Sequence, residues 1–190
     1  KTVTKTTRGR PSEKSEVIVL DDPKEEKDDD IEDLDEEDKE LEEGDSLPED
    51  LKVELQDSKE INLLDYAKKS HILVIFAYPK ASTPGCTRQA QGFRDEYKEL
   101  NGDLKASVLG LSADTITAQT KFKDKQNLPY NLISDTKKEL IKLLGCKIYP
   151  TGIIRSHIIF VEGVLKFKKL KMSPEVSYKS ALEQVKELSK

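Results

Sequence analysis

One of the two cysteines in this 190-residue chain stands in a setting that can activate a thiol. Cys86 follows Pro84 and Gly85 and is the second residue of the stretch GCTRQAQGFRDEYKELNG, whose apolar spacing predicts a helix. A free cysteine is mostly protonated at neutral pH, whereas the nucleophile is the thiolate. The unpaired N–H groups and the dipole at a helix N-terminus stabilise negative charge. This position favours nucleophilic chemistry over the alternative, a small buried hydrophobic residue.

Three further residues can complete a site around this thiol. The apolar run His71–Tyr78 predicts a central strand that delivers the following loop to the carboxyl edge of a sheet. In that loop Thr83 can donate a hydroxyl to a substrate oxygen, and Pro79 can screen the thiol from water. Arg155, which enters the predicted strand RSHIIFVEG, is the candidate for the positive group that a reactive thiolate needs. Taken singly, these residues are also typical of a helix cap, a strand end and a surface arginine.

The remaining sequence predicts the elements that position these residues. Strand patterns occur in LKVELQD, HILVIFAY, ASVLGLSAD and YNLISD. The stretch SKEINLLDYAKKS predicts a turn followed by a short helix, and TITAQTKFKDKQNL predicts a second helix. A third helix is predicted in TKKELIKLLG, with Asp135 as its cap and Gly145 at its end. A hairpin that turns at Glu162-Gly163 and a helix that begins near Pro174 close the chain. This alternation predicts an α/β fold of three layers, α/β/α, with a mixed central sheet.

Charge divides the chain into two parts. The segment Asp21–Glu43 holds 16 acidic and 3 basic residues, whereas residues 44–190 hold 19 acidic and 24 basic residues. Because residues 1–43 also lack Phe, Trp and Tyr, they predict a disordered tail in front of one folded domain over residues 44–190.

Two cysteines are too few for a disulfide scaffold and indicate a reducing compartment. We find no apolar run of the roughly 18 residues that a membrane span needs, and no metal-ligand spacing, so His71 and His157 are interpreted as structural.

The loop PKASTPGC resembles the P-x3-T-x2-C signature of peroxiredoxins. The longer stretch YPKASTPGCTRQAQGFRDEY resembles their Q-type, or bacterioferritin-comigratory, branch, and the likeness is greatest to fungal nuclear thiol peroxidases. It extends over most of residues 44–190, because LGLSAD, NLPYNLISD, IRSHIIFV and LKFKK match in order. The resemblance implies a thioredoxin-like fold and a thiol peroxidase that reduces hydrogen peroxide and organic hydroperoxides without a cofactor.

The same resemblance implies a role for each residue of the site. Cys86 is the peroxidatic cysteine, which attacks the peroxide and becomes a sulfenic acid. Thr83 and Arg155 bind the peroxide oxygens, and Pro79 packs over the pocket. Gln89 occupies the position at which many relatives carry a glutamate that helps to hold the arginine.

The sequence departs from the resemblance at the step that follows. Many Q-type enzymes carry a second, resolving cysteine five residues after the first, where this chain has Gln91, and an amide cannot form a disulfide. The other thiol, Cys146, either resolves Cys86 after local unfolding brings the two Cα atoms within about 5–6 Å, or is structural. We expect a one-cysteine cycle in which glutathione or a thioredoxin-type protein reduces Cys86 directly.

Two short motifs in the tail indicate a second class of function. The first resembles an AT-hook, which binds the minor groove of A·T-rich DNA, and consists of Arg8, Gly9, Arg10 and Pro11. The second resembles a SUMO-interacting motif and consists of Val17, Ile18, Val19 and Leu20, followed by acidic residues. A solvated basic tail and a chance apolar cluster are the alternatives. The motifs predict a nuclear protein, with the cytoplasm as the alternative, and allow a chromatin-associated interaction protein as the competing function. A third class, disulfide oxidoreductases, is disfavoured because the chain lacks a C-x-x-C pair.

Overall fold

The computed structural model describes residues 39–149 and 151–190. The elements of this part follow one another as β1 (Lys52–Leu55), β2 (Glu60–Asn62), α1 (Leu63–Ser70), β3 (Ile72–Ala77), α2 (Pro84–Tyr97), a π-helical segment (Lys98–Asp103), β4 (Ala106–Ser112), α3 (Ile116–Gln126), β5 (Asn131–Ser134), α4 (Glu139–Leu143), β6 (Lys147–Ile148), β7 (Gly152–Ile153), β8 (Ser156–Val161), β9 (Val164–Lys169) and α5 (Pro174–Leu188).

Within the described residues, one mixed sheet joins seven strands in the order β9-β8-β3-β4-β5-β1-β2. Strands β3, β4 and β5 run parallel, whereas β8 and β9 on one side and β1 and β2 on the other add antiparallel pairs. All six residues of β3 are buried, because strands flank it on both sides and helices cover both of its faces. The short strands β6 and β7 pair with each other outside this sheet.

Helices cover the two faces of the sheet and build two separate apolar clusters. The first cluster holds Leu73 from β3, Leu64 from α1 and Leu140 from α4. The second holds Phe76 from β3, together with side chains from α2, α3 and α5. In this second cluster the rings of Phe76 and Phe93 stack with centroids 4.5 Å apart, which fastens α2 to β3. The predicted three-layer fold with a mixed central sheet is confirmed.

Most of the predicted elements are present, with differences at their ends. The hairpin between β8 and β9 turns at Glu162 and Gly163, which both have positive φ angles, as two-residue hairpin turns require. The carboxylate of Asp135 accepts the backbone N–H groups of Glu139 and Ile141, and so it caps the start of α4. The helix predicted to reach Asn101-Gly102 is α-helical to Tyr97 and π-helical beyond it.

The described chain meets the sheet before the predicted domain start at Gly44. Residues Glu40–Lys190 form one compact unit. The backbone N–H of Leu41 donates to the Leu143 carbonyl, and Lys168 Nζ donates to the Leu41 carbonyl, both at 2.8 Å. Residues 40–43, which the sequence assigned to the tail, therefore contact the folded unit. Among the described helices, none combines the length and the apolar character needed to cross a membrane.

Candidate active site

The loop that carries the cysteine is held in place by the strand next to β3. The Tyr78 N–H donates to the Leu111 carbonyl at 3.0 Å, which extends the pairing of β3 with β4 by one residue. The Ala81 N–H then donates to Asp114 Oδ2 at 2.7 Å, and the Ser112 hydroxyl donates to the same oxygen. Ser82 has a φ angle of 69°, a left-handed conformation that non-glycine residues rarely adopt. The carboxylate of Asp114 thus fixes the tight turn that enters α2.

Cys86 lies in the first turn of α2 and is almost completely buried. Thr83 is the N-cap residue, and Pro84 occupies the first helical position, where its missing N–H is not needed. The first intrahelical bond runs from the Thr87 N–H to the Thr83 carbonyl, so the N–H groups of Gly85 and Cys86 precede it and have no acceptor within the helix. Cys86 is 1% exposed and belongs to the second apolar cluster. Its sulfur therefore sits where a helix favours negative charge, and bulk water is largely excluded.

Arg155 brings a positive charge to this sulfur. It lies between β7 and β8, and its Nη1 atom is 3.5 Å from Cys86 Sγ and 3.1 Å from Gln89 Oε1. Its backbone carbonyl accepts the Met172 N–H at 2.9 Å, which anchors the base of the side chain. The guanidinium also lies against Gly85, because a Cβ atom there would come within 3.0 Å of Nη2. The guanidinium thus places a positive charge directly beside the sulfur.

The two other predicted site residues, Thr83 and Pro79, lie in the loop between β3 and α2. The Thr83 hydroxyl donates to the Lys80 carbonyl at 2.8 Å, so its hydrogen is already used and its oxygen is left as an acceptor. This differs from the donor role that the sequence suggested. Pro79 is exposed at the start of the loop, and its role as a shield for the thiol stays a prediction.

A polar chain extends from Arg155 into the interior, and sequence reasoning did not find it. Gln89 Nε2 donates to Ser177 Oγ at 3.1 Å, and Ser177 Oγ lies 3.3 Å from His157 Nδ1. His157 Nε2 contacts Gln184 Oε1 at 2.8 Å. Burial lowers the pKa of His157 to about 4, so the imidazole is neutral at pH 7. The i, i+3 spacing of Cys86 and Gln89 was the one local signal, since it places both on one face of α2.

The second cysteine lies on the opposite face of the sheet. Cys146 belongs to the first apolar cluster, whereas Cys86 belongs to the second. Cys146 is fully buried, and this burial raises the pKa of its thiol to about 11. Gln91 directs its side-chain amide to Gln126 Oε1 on α3, at 2.8 Å. Cys146, the only other thiol of the chain, is therefore not placed to react with a Cys86 sulfenic acid in this conformation.

The residues of the two tail motifs lie outside the part of the chain that the structure describes. They are Arg8, Gly9, Arg10, Pro11, Val17, Ile18, Val19 and Leu20.

Across residues 39–149 and 151–190, no group of three or more His, Cys, Asp and Glu side chains is placed to hold a metal ion.

Comparison with known proteins places the chain in a family. The AhpC/TSA family matches residues 44–168, which include the loop, Cys86 and Arg155. The chain belongs to this family, in its Q-type peroxiredoxin branch. Among similar proteins, peroxiredoxin bcp1 of Schizosaccharomyces pombe is 49% identical over 144 residues, which cover 74% of this chain and 72% of that protein. Peroxiredoxin Bcp of Bacillus subtilis is 34% identical over 160 residues, or 78% of this chain and 98% of the relative.

Solved structures of this branch have the same fold. The bacterioferritin comigratory protein of Xanthomonas campestris, studied for its alkyl peroxide reduction activity, superposes with a TM-score of 0.70 at 28% identity. The match covers 79% of this chain and 98% of that protein. The thioredoxin-like fold predicted by resemblance is therefore confirmed, and so is the peroxiredoxin family. The protein is accordingly a peroxidase of the peroxiredoxin kind.

Proposed function

We propose that Cys86 is the peroxidatic nucleophile of this peroxiredoxin and that hydrogen peroxide and organic hydroperoxides are its substrates. The observation that carries the proposal is the Arg155 guanidinium at 3.5 Å from a sulfur in the first turn of α2. The thiolate attacks the nearer peroxide oxygen, an S–O bond forms and the O–O bond breaks. The departing oxygen takes up a proton and leaves as water or an alcohol, and Cys86 becomes a sulfenic acid.

Each neighbour of the sulfur has a role in this step. Arg155 and the free N–H groups at the start of α2 stabilise the negative charge that moves from sulfur to the departing oxygen. The Thr83 oxygen, whose hydrogen is held by the Lys80 carbonyl, accepts the hydroxyl hydrogen of the peroxide and orients it. Gln89 holds the guanidinium at the sulfur.

An external thiol reduces the sulfenic acid in this scheme. The first thiol displaces water from Cys86 and forms a mixed disulfide, and a second thiol releases Cys86 as the free thiol together with the oxidised reductant. Two observations support an external reductant: Gln91 stands at the usual resolving position, and Cys146 is buried on the other face of the sheet. Glutathione and a thioredoxin-type protein are the two candidate reductants.

Stopped-flow measurement of peroxide consumption tests the assignment. We expect Cys86→Ser to abolish consumption, because the nucleophile is gone, and Cys146→Ser to keep at least the first turnover at the wild-type rate. Since both cysteines are buried, the pair controls for the loss of a buried thiol. Peroxide consumption by Cys86→Ser at the wild-type rate would contradict the assignment of Cys86 as the nucleophile.

We further propose that the tail directs this enzyme to chromatin in the nucleus. Support comes from the sequence alone: Arg8-Gly9-Arg10-Pro11 resembles an AT-hook, and Val17–Leu20 followed by acidic residues resembles a SUMO-interacting motif. A single hook binds weakly and with strong salt dependence, so the tail adds localisation to the peroxidase activity and does not replace it.

A further inference from the structure

Four side chains connect the guanidinium of Arg155 to α5, and their burial is costly. We call Gln89, Ser177, His157 and Gln184 the polar chain. The first three are 0% exposed, and they lie beside apolar side chains of α2, β8 and α5. A buried polar group without a hydrogen bond costs about 1–3 kcal/mol, so three of them together need a satisfied network. The polar chain supplies that network, and it leads to the charged group that touches the reactive sulfur.

The direction of every hydrogen bond in the polar chain follows from its ends. Arg155 can only donate, so Gln89 must turn its oxygen toward the guanidinium and its NH₂ group toward Ser177. At the far end, Gln184 presents an oxygen, so His157 must carry its hydrogen on Nε2. Because the imidazole is neutral, its Nδ1 atom is then an acceptor and receives the Ser177 hydroxyl hydrogen. The Ser177 oxygen is thereby left free to accept from Gln89.

We infer that Ser177 and His157 are positioning residues for the peroxide step, which act through the orientation of the Gln89 amide on Arg155. This inference rests on the proposed function, because it takes Cys86 as the reacting thiol. Without the Ser177 oxygen, the buried NH₂ group of Gln89 loses its acceptor, so the contact with Arg155 alone opposes rotation of the amide. An amide rotated by 180° would present NH₂ groups to a guanidinium, so Arg155 would move away from Gln89 and from the Cys86 sulfur.

The choice of residue 89 matters for the charge at the sulfur. Gln89 is neutral, so it positions Arg155 without cancelling its positive charge. The guanidinium therefore acts on Cys86 with its full charge, provided that the amide is held correctly. A neutral side chain of this kind needs support from its own neighbours more than a carboxylate does, because a carboxylate presents an acceptor at either oxygen. Ser177 and His157 supply that support here.

The test compares two serines that are equally buried, of which only Ser177 belongs to the polar chain. Ser177→Ala breaks the polar chain, whereas Ser156→Ala removes a buried hydroxyl beside Arg155 that donates to the Ile154 carbonyl, on the side of Cys146. We expect Ser177→Ala to slow the reaction of Cys86 with hydrogen peroxide about 3- to 10-fold, the effect of one lost hydrogen bond. We expect Ser156→Ala to react at the wild-type rate.

Two further readouts separate positioning from general stability. The pH midpoint of Cys86 alkylation by iodoacetamide, followed by peptide mapping, should rise in Ser177→Ala, because the guanidinium no longer favours the thiolate. In a Gln89→Met background, Ser177→Ala should produce no further slowing, since it acts through Gln89. His157→Asn keeps an acceptor near the position of Nδ1 and should retain more of the rate than His157→Leu.

The outcomes distinguish this inference from the proposed function. If Ser177→Ala leaves the rate and the alkylation midpoint unchanged and only lowers the melting temperature as Ser156→Ala does, the polar chain is structural and the inference is wrong. It is also wrong if Ser177→Ala keeps its full effect in the Gln89→Met background. If the wild-type protein does not consume peroxide, the proposed function fails, whereas the alkylation midpoints still decide whether Ser177 positions Arg155.

Discussion

Arg155 is held by two hydrogen bonds and fits into the space left by Gly85, and this explains how a half-buried, flexible side chain can act on one sulfur atom. Gln89 accepts from its guanidinium, its backbone carbonyl accepts from Met172, and the absence of a side chain at Gly85 leaves room for it. Fixing a long side chain in advance lowers the entropy cost of using it in the reaction. The electrostatics of the site therefore depend on residues that do not touch the substrate.

Replacing this arginine tests that dependence. We expect Arg155→Met, which keeps an unbranched apolar stem and removes the charged guanidinium, to slow the peroxide step by roughly 10- to 1,000-fold, the usual cost of one charge-stabilising donor. The pH midpoint of Cys86 alkylation should rise, because a cation beside the thiolate is lost. Stopped-flow kinetics and alkylation at graded pH measure the two effects. An unchanged rate and midpoint would show that another cation serves the sulfur.

The buried histidine of the polar chain, His157, should make the thermal stability of the protein depend on pH in the acidic range. Its pKa is lowered by burial to about 4, below the ordinary value of 6.5. Because the folded pKa is the lower one, the neutral imidazole contributes stability above about pH 6.5, and this contribution is lost as the pH falls through 4. We expect the melting temperature to fall more between pH 7 and pH 4.5 in the wild type than in His157→Asn. Equal falls in the two proteins would contradict the role of His157 as a buried neutral base.

Among the residues of the site, the sequence predicts the reacting cysteine better than it predicts the side chains that hold Arg155 in place. Cys86 is recognisable because the helix that activates it follows at once in the chain. The contact between Gln89 and Ser177 joins residues 88 positions apart, and no local pattern connects them. Whether the hydroxyl of Thr83 donates to a substrate or to Lys80 also depends on the fold of the loop.

Among the elements, α2 and α5 pack closely together at Gly92. A Cβ atom there would overlap the ring of Tyr178, which also approaches Phe93 edge-on with ring centroids 6.4 Å apart. This close approach brings the start of α5 to the start of α2, where Glu175 pairs with Arg88 at 2.8 Å. It also lets Ser177 reach Gln89. The geometry of the site thus depends on a small residue two turns away from the thiol.

Adding one methyl group tests this packing. We expect Gly92→Ala to destabilise the fold by about 1–3 kcal/mol, the usual cost of overpacking, and to slow the peroxide step, because α5 must move away from α2. Gly102→Ala is the matched control, since a Cβ atom there meets nothing within 4 Å. Chemical denaturation measures the free energy of unfolding. A Gly92→Ala protein as stable as Gly102→Ala would show that the two helices are not packed as described.

The elements that could be predicted are those with a long pattern. Strand β3 and helix α5 extend over enough residues to show a period or a continuous apolar run. Strand β2 has three residues and β6 and β7 have two each, too few for any period, so they emerge only from pairing across the fold. The π-helical segment after α2 depends on a shift of hydrogen-bond partners that composition does not encode.

For the whole molecule, the uneven charge remains the feature that the folded unit does not explain. The segment Asp21–Glu43 carries 16 of the 37 acidic residues, and a basic motif precedes it. Acidic residues close to an AT-hook compete with DNA phosphates for its arginines, most strongly at low salt. The two charge blocks therefore predict a tail whose affinity for DNA is limited by its own sequence.

Deletion of the tail tests whether the two functions are separable. We expect removal of residues 1–38 to leave peroxide consumption and the melting temperature nearly unchanged, because residues 40–43, which contact the folded unit, remain. Binding to A·T-rich duplexes should fall, whereas deletion of residues 21–38 alone should strengthen it at low salt. Fluorescence anisotropy with A·T-rich and G·C-rich duplexes measures both. If the full chain shows no A·T preference and Arg10→Ala changes nothing, the tail is a solvated arm.

The central claim is that Cys86 reacts with peroxide and that no second cysteine resolves it. Intact-mass measurement after acid quenching of the reaction with one equivalent of hydrogen peroxide tests it most directly. The account predicts a gain of one oxygen, about 16 Da, in the wild type and in Cys146→Ser, and no gain in Cys86→Ser. A gain in Cys86→Ser would contradict the assignment of the nucleophile. A loss of about 2 Da in the wild type that is absent in Cys146→Ser would reveal a disulfide between Cys86 and Cys146 and would contradict the one-cysteine cycle.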